Sequence, residues 1–337
     1  MLATVALTAT ACAPATTPVA STSATSTPTA SAAPAAPDPV FLAPLTGVTI
    51  AEGSAANASI AAKIDNHPAA RPQVSIETAD IVFEELVEGG MTRYLAIWQS
   101  TIPAELGPVR SVRPMDPDIV SPFGGIMAYS GGQARFVAMM QASPVYNAIH
   151  GQADTENTFF RTPTKSSPHN VLVKAQDVVA EHTDLPAPAQ QFGYATETVP
   201  ASAMSGTATS VINLVFSQMS TRSWTWDAAR GAFARSQDGA TDLDTAGSPY
   251  GATNVLVLRV PVTVEQDIPK SELVGTGEAW VSSGGHTVHA TWSKTAAAEK
   301  ITLVDDAGAQ ILLAPGNSWI ELVPQAGSVE LVPPTTP

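Results

Sequence analysis

From residue 58 onward, apolar residues fall into short runs and alternations separated by clusters of Gly, Pro, Asn and Asp. Ala58 to Ile64 is a mostly apolar run closed by Asp65-Asn66-His67-Pro68, which predicts a short buried strand followed by a turn. Ile81 to Glu88 and Met91 to Gln99 alternate on either side of Gly89-Gly90. Glycine tolerates the positive φ of a tight turn, so a β-hairpin with a two-residue loop is predicted. Met115 to Ser121 reads as a short helix, Gly125 to Ser130 as a buried strand, Gln133 to Gln141 as a helix, Asn170 to Val173 as a strand and Ala175 to His182 as a helix. Such alternation specifies a layered α/β arrangement.

Residues 183 to 205 contain three prolines and few large apolar side chains, which places a boundary there. Beyond it the pattern becomes mostly β. Strands are predicted at Val211 to Ser217, Ser223 to Trp226, Ala232 to Arg235, Asn254 to Val260, His286 to Trp292, Ile301 to Val304, Ile311 to Leu313 and Trp319 to Val323, with turns at Asp238-Gly239 and Ala307-Gly308. No period recurs along the chain, which argues against a solenoid or propeller. The fold class is therefore an α/β (α+β) N-terminal domain over residues 41 to 190, with a mostly β C-terminal part over 205 to 332 packed against it.

Composition changes the picture mainly at the start of the chain. Residues 13 to 40 are almost wholly Ala, Pro, Ser and Thr with one charge, Asp38. Such a segment buries too little apolar area to offset its ordering entropy, so a disordered, proline-extended linker is predicted. The remaining residues, about 300, are enough for two ordinary domains. Hydrophobic residues make up 44% and charged residues 14%, as in a folded globule. Sixteen Lys and Arg against thirty Asp and Glu give a net charge of −14, a surface that repels phosphate polymers, so nucleic acid is not an expected partner. After residue 12 no uncharged apolar run reaches the roughly 18 residues needed to span a bilayer.

Cys12 is the sole cysteine, so no intramolecular disulfide can form, and a metal site would have to use His and carboxylates. Met1 to Ala11 is apolar and small and ends Ala9-Thr10-Ala11 before that cysteine, which resembles the lipobox of bacterial lipoproteins. The resemblance implies a diacylglycerol anchor on Cys12, residues 1 to 12 as the remnant of a signal peptide, and an address on the outer face of the bacterial cell membrane. Ala9 stands where Leu is usual. No Lys or Arg precedes the apolar stretch, which places the translation start upstream.

Several segments carry a more specific resemblance. Ile64-Asp65-Asn66-His67-Pro68, Arg71-Pro72-Gln73, Ala79-Asp80-Ile81-Val82, Glu84 to Tyr94, Gly107-Pro108-Val109-Arg110-Ser111-Val112-Arg113-Pro114 and Pro168-His169-Asn170 resemble the YerB-like family of bacterial lipoproteins. Gln237-Asp238-Gly239, Asn254-Val255 and Ala314 to Trp319 extend the similarity into the second half, so it covers most of the chain from about residue 44. It implies the fold and the lipoprotein address, and leaves the activity open.

Three constellations carry candidate chemistry. With Gly89-Gly90 as the loop, Glu84, Leu86 and Glu88 share one sheet face with Met91, Arg93 and Leu95, and Arg93 lies diagonal to both glutamates. That predicts a carboxylate–guanidinium–carboxylate cluster, either a register-holding charge ladder or a pocket wall, with Phe83, Tyr94, Ala96 and Trp98 on the buried side. An outward glutamate there would be placed to act as a general base. Second, nine of the sixteen basic residues lie between Lys63 and Lys174. Arg71, Arg110, Arg113 and Arg161 sit beside Pro, Thr or Ser on loops, where sites concentrate, and their forks suit carboxylate or phosphate. The bland alternative pairs them with Asp65, Asp80, Asp116 and Asp118. Third, Tyr129-Ser130-Gly131-Gly132-Gln133 runs from strand into helix through two glycines and offers free amides to an anion, though paired glycines are also ordinary turns.

The histidines His67, His150, His169, His182, His286 and His289 show no helical ligand spacing, so neither metal nor cofactor is expected. No G-x-S-x-G elbow accompanies Ser166-Ser167-Pro168-His169, so a serine nucleophile is not expected. Three functional readings follow. The favoured one is a lipoprotein that binds an anionic envelope small molecule or polymer fragment, with Arg71, Arg93, Arg110, Arg113, Arg161, His169, Asp65, Glu84 and Glu88 converging on one concave surface. An enzyme acting on an envelope polysaccharide or peptide would instead use paired carboxylates from Glu84, Glu88, Asp65 or Asp80. A protein-interaction scaffold would show an exposed apolar patch.

Overall fold

The structure is a computed structural model that describes residues 8 to 11 and 40 to 335. Cys12 and nearly all of the linker lie outside the described residues. The folded unit begins at Val40.

Its frame is a sheet of eleven strands. Along the sheet run Thr207–Ala208, His286–Lys294, Gly275–Ser283, Asn254–Val260, Ser318–Pro324, Ile81–Leu86, Thr92–Trp98, Ile60–Asp65, Ile126–Tyr129 and Tyr146–Ile149, with Thr302–Asp305 added beside His286–Lys294. The strand Ser318–Pro324 is parallel to Asn254–Val260 on one side and to Ile81–Leu86 on the other. One hydrogen-bonded sheet thus passes from the N-terminal α/β part into the β-rich C-terminal part. Because strands near the middle are covered on both faces, they read as continuous apolar runs: every residue of Asn254–Val260 except Arg259 is buried, as is every residue of Ser318–Pro324.

A second sheet of six strands, built on Val211–Ser217, Ser220–Asp227, Ala232–Gln237 and Ser328–Val332, contributes Ile212, Leu214, Trp224 and Phe233 to the core on one face of the large sheet. Trp319 sits at the centre of that core, with its ring 5.4 Å from Tyr94, 5.3 Å from Trp224 and 6.1 Å from Tyr250. Aromatic anchors of this size carry much of the apolar burial, and Trp319→Ala would cost about 3–5 kcal/mol. On the other face, Ile119 and Phe123 from around the helix Asp116–Val120 and Phe136 and Met140 from the helix Ala134–Gln141 pack over Phe83, Leu95 and Ile97.

The predicted elements of the N-terminal part all form, within a residue or two of their expected ends. The hairpin is the exception in detail. Its loop is a three-residue turn, Glu88–Gly90, closed by the Val87 amide donating to the Met91 carbonyl at 2.8 Å, with Gly89 and Gly90 at φ 70° and 72°. One more loop residue shifts the register by one and moves side chains to the opposite face. Glu85, not Leu86, faces Arg93, and Glu84 faces Tyr94. The expected Glu84–Arg93–Glu88 ladder and its exposed face do not form, because both faces of these strands are covered.

Candidate functional site

Glu84 lies between the two sheets. Its carboxylate accepts from Thr92 Oγ1 at 2.6 Å, from Arg222 Nε at 2.7 Å and from Arg235 Nη2 at 2.5 Å. Arg235 also pairs with Asp242, and its guanidinium carbon lies 5.0 Å from the Trp319 ring and 5.3 Å from that of Tyr94. Neither Glu84 nor Arg235 has any solvent exposure. Burial raises the Glu84 carboxyl, and the Arg222 and Arg235 charges more than reverse that, leaving it at about 2. An acid so held, and out of reach of solvent, is no general base. Glu84 therefore leaves the candidate site. Its charged partners come from the C-terminal sheet, which no reading of residues 80 to 95 alone would reveal.

A second cluster fills the opposite face. Lys63 contacts Glu85 and reaches Asp116 Oδ1 at 2.7 Å, all without exposure. Burial pulls the Lys63 ammonium down to about 8 against the opposing pull of Asp116. Asp80 is likewise structural: Oδ2 accepts from the amides of Gln99 and Ser100 at 2.7 and 2.8 Å, and burial raises its carboxyl.

The remaining residues gather where three parallel strands end. Ile60–Asp65, Ile126–Tyr129 and Tyr146–Ile149 run parallel, the last two joined through the helix Ala134–Gln141 as a βαβ unit. Ligands of open α/β sheets bind beyond the carboxyl ends of such strands, because the helix starts and connecting loops converge there. Asp65, Ser130 and His150 stand at or just past those ends. The segment from Gly107 to Arg113 lies between the first two: the Asp65 amide donates to Pro108 O at 2.9 Å, the Arg110 amide to Lys63 O at 2.8 Å and the Ser130 amide to Arg110 O at 3.0 Å. Gly107 admits that approach. At φ 142° a Cβ would sit 2.8 Å from Leu172 Cδ2 and 2.9 Å from Val171 O.

The Val109 amide donates to Val171 O at 2.8 Å, which brings the preceding residues, His169 and Asn170, alongside Asp65. His169 Nδ1 lies 2.6 Å from Asp65 Oδ2, and Arg110 Nε lies 3.3 Å from the same oxygen. Arg110 Nη1 also donates to Pro168 O at 3.3 Å, while Arg161 Nη1 donates to Asn170 Oδ1 at 2.7 Å and to Ser167 Oγ at 3.5 Å. Both arginines thus grip one loop. Behind them, Arg113 pairs with Glu88 at 2.7 Å, and Arg93 donates to Ser111 O at 2.9 Å. Burial first, and then the neighbouring Arg113 and Arg110 charges, hold the Arg93 guanidinium down to about 10.

The structure thus brings together Asp65, His169, Arg110 and Arg161, with Arg93, Arg113 and Glu88 behind them. Arg71 is turned aside, donating to Asn66 Oδ1 and O at 3.1 and 2.9 Å and pairing with Asp238 at 3.5 Å. Of the expected acid partners, Asp65 takes Arg110, whereas Asp118 pairs with Lys270 at 3.2 Å. Three neighbours were not among the side chains expected at the site, Ser130 having entered only as part of the strand-to-helix turn. His67 stacks on His169 with ring centroids 4.2 Å apart. Ser130 Oγ lies 3.3 Å from His150 Nδ1. Burial and then the Arg161 charge lower the His150 imidazole. The signal that would have found them is position, immediately after parallel strands. An open groove of about 460 Å³ continues from this edge, lined by His150, Gln152, Glu156 and Phe159 among others.

The fold and this edge define a two-part protein, an α/β half and a β-rich half sharing one sheet, with a cluster of basic side chains at the carboxyl ends of its parallel strands. The chain belongs to the protein family of unknown function DUF3048, whose N-terminal domain matches residues 45–187 and whose C-terminal domain matches residues 212–320. It is 27% identical over 310 residues to the "Putative lipoprotein YerB" of Bacillus subtilis (strain 168), covering 86% of this chain and 88% of that protein. The crystal structure of YerB from Bacillus subtilis superposes with a TM-score of 0.74 at 24% identity, covering 86% of this chain and 99% of that one, and so shares the fold. Among the described residues no helix is long and apolar enough to cross a membrane.

Proposed function

We propose that this is an extracytoplasmic lipoprotein, anchored through lipid on Cys12, that binds an anionic cell-envelope molecule at the carboxyl edge of its parallel strands. The observation that carries this reading is the crowding of Arg93, Arg110 and Arg113, of which Arg93 and Arg113 donate to the same Ser111 carbonyl, with Arg161 gripping the same loop as Arg110. Like charges brought together on an otherwise acidic protein are relieved by an anion, and guanidinium forks present paired donors to phosphate or carboxylate oxygens. Asp65 and Glu88 offset part of that charge and hold the forks in place. The groove beside His150 offers room for the uncharged remainder of a ligand.

Crystals soaked with phosphorylated and carboxylated envelope fragments test the assignment. The anionic group is expected within hydrogen-bond distance of Arg110 or Arg161. Occupancy confined to another surface contradicts it.

A further inference from the structure

The bonds around the stacked pair His67 and His169 determine which nitrogen of each ring carries its proton. Nδ1 of His67 accepts from the Ala69 amide at 3.1 Å, so that lone pair is committed and the neutral ring is protonated at Nε2. Nδ1 of His169 faces Asp65 Oδ2 at 2.6 Å, and a carboxylate only accepts, so this Nδ1 carries the hydrogen and, in the neutral ring, Nε2 keeps its lone pair. The orienting carboxylate is itself fixed: Asp65 Oδ1 accepts from the His67 amide at 3.0 Å, and Arg110 Nε stands 3.3 Å from Oδ2. Two adjacent imidazoles therefore hold opposite tautomers, one presenting an N–H donor and the other a proton acceptor. Both rings are partly exposed, beside Arg110 and the loop that Arg161 grips.

A carboxylate that fixes the tautomer of an imidazole with a free Nε2 is the arrangement that orients a general base. A neutral Nε2–H next to it stabilises an oxyanion by hydrogen bonding without giving up its proton. We infer that Asp65, His169, His67 and Arg110 form a hydrolytic site for phosphodiesters, a step that rests on the anion-binding reading above, since the same arginines must first hold the phosphate.

In that reaction Arg110 and the His67 Nε2–H bind the non-bridging oxygens. A water molecule gives one proton to His169 Nε2 as its oxygen bonds to phosphorus. The bond from phosphorus to one ester oxygen breaks, and His169 returns the same proton to that oxygen. One diester and one water become one phosphomonoester and one alcohol, with no change of oxidation state. His169 is the catalytic base, and Asp65 is a positioning residue acting through it.

The test uses the full chain and bis(4-nitrophenyl) phosphate, with chelator present throughout. The wild type is expected to release 4-nitrophenolate. His169→Gln, whose amide can still donate to Asp65, should lower kcat about a hundredfold or more while KM stays within about threefold. Asp65→Asn should lower kcat with the same small change in KM, and free imidazole should restore part of the activity of His169→Ala. Melting curves and calorimetric titration with pyrophosphate accompany each variant. Turnover retained by a folded His169→Gln overturns the inference. If the wild type binds pyrophosphate and cleaves no diester, hydrolysis is overturned and the binding reading stands; if it neither binds nor cleaves, both fall.

Discussion

Glu84 and Glu321 face each other in register on adjacent parallel strands, both without solvent exposure, and their carboxyl groups are driven in opposite directions. Burial is offset for Glu84 by Arg222 and Arg235, which leave it ionised at about 2. For Glu321, burial and the Glu84 charge together push the carboxyl up to about 8 against the pull of Arg235. Glu321 is therefore the member of the pair driven toward its neutral form. One of its oxygens accepts from Trp224 Nε1 at 2.8 Å. The pair joins the first half of the chain to the second at the centre of the shared sheet.

Stability should carry the mark of that arrangement. An acid whose folded value is raised binds more protons folded than unfolded, so its contribution is full below its ordinary value of 4.5 and declines as pH rises toward about 8. Glu321→Gln preserves an acceptor for Trp224 and removes the titration. Urea denaturation should give wild type and variant similar unfolding free energies near pH 5, separating by roughly a few kcal/mol toward pH 9 with the wild type the less stable. A constant offset across that range would show that Glu321 is ionised throughout.

Arg235→Ala should destabilise severely. It leaves Glu84 and Asp242 facing low dielectric with one cation fewer, and breaking a buried ion pair in this way costs about 3–5 kcal/mol. Equilibrium denaturation measures the loss. Arg235→Met, which fills much of the volume and leaves the same carboxylates with one cation fewer, should be little better, and a benign result would mean that Glu84 or Asp242 takes up a proton in its place.

The order of elements was legible because the apolar periods are strong: Val211–Ser217 alternates buried and part-buried residues, and Ala134–Gln141 buries Phe136 and Met140 four apart. Gly275–Ser283, a nine-residue strand inside the large sheet, escaped notice because Gly275, Gly277 and two serines weaken its pattern. The hairpin register depended on one loop residue, which glycine spacing alone does not settle. The arginines of the Gly107 to Arg113 segment and His169 were legible as loop residues in a recognisable motif. That Glu84 belongs elsewhere was not, since Arg222 and Arg235 lie more than a hundred residues downstream. Tertiary pairing over such distances leaves no local trace in composition or period.

Expressed in a bacterium that processes lipoproteins, the protein should partition into the detergent phase, and Cys12→Ser should release it into the aqueous phase. The small residues before Cys12 and the Ala/Pro/Ser/Thr-rich residues that follow it motivate this expectation. Identical fractionation of the two proteins would remove the lipid anchor from the account.

The central claim is that the arginines at the carboxyl edge serve an anion and not the fold. Calorimetric titration of wild type and Arg110→Ala with pyrophosphate, alongside their thermal unfolding, tests it directly. The Arg110 side chain is part-exposed and among the described residues meets Asp65 and Pro168 O, whereas a charge-assisted contact to a ligand is worth about 1.5–3 kcal/mol. Binding should therefore weaken about tenfold or more while the melting temperature barely moves. Unchanged binding together with a marked loss of thermal stability would show that Arg110 is an internal partner of Asp65, and would contradict the account.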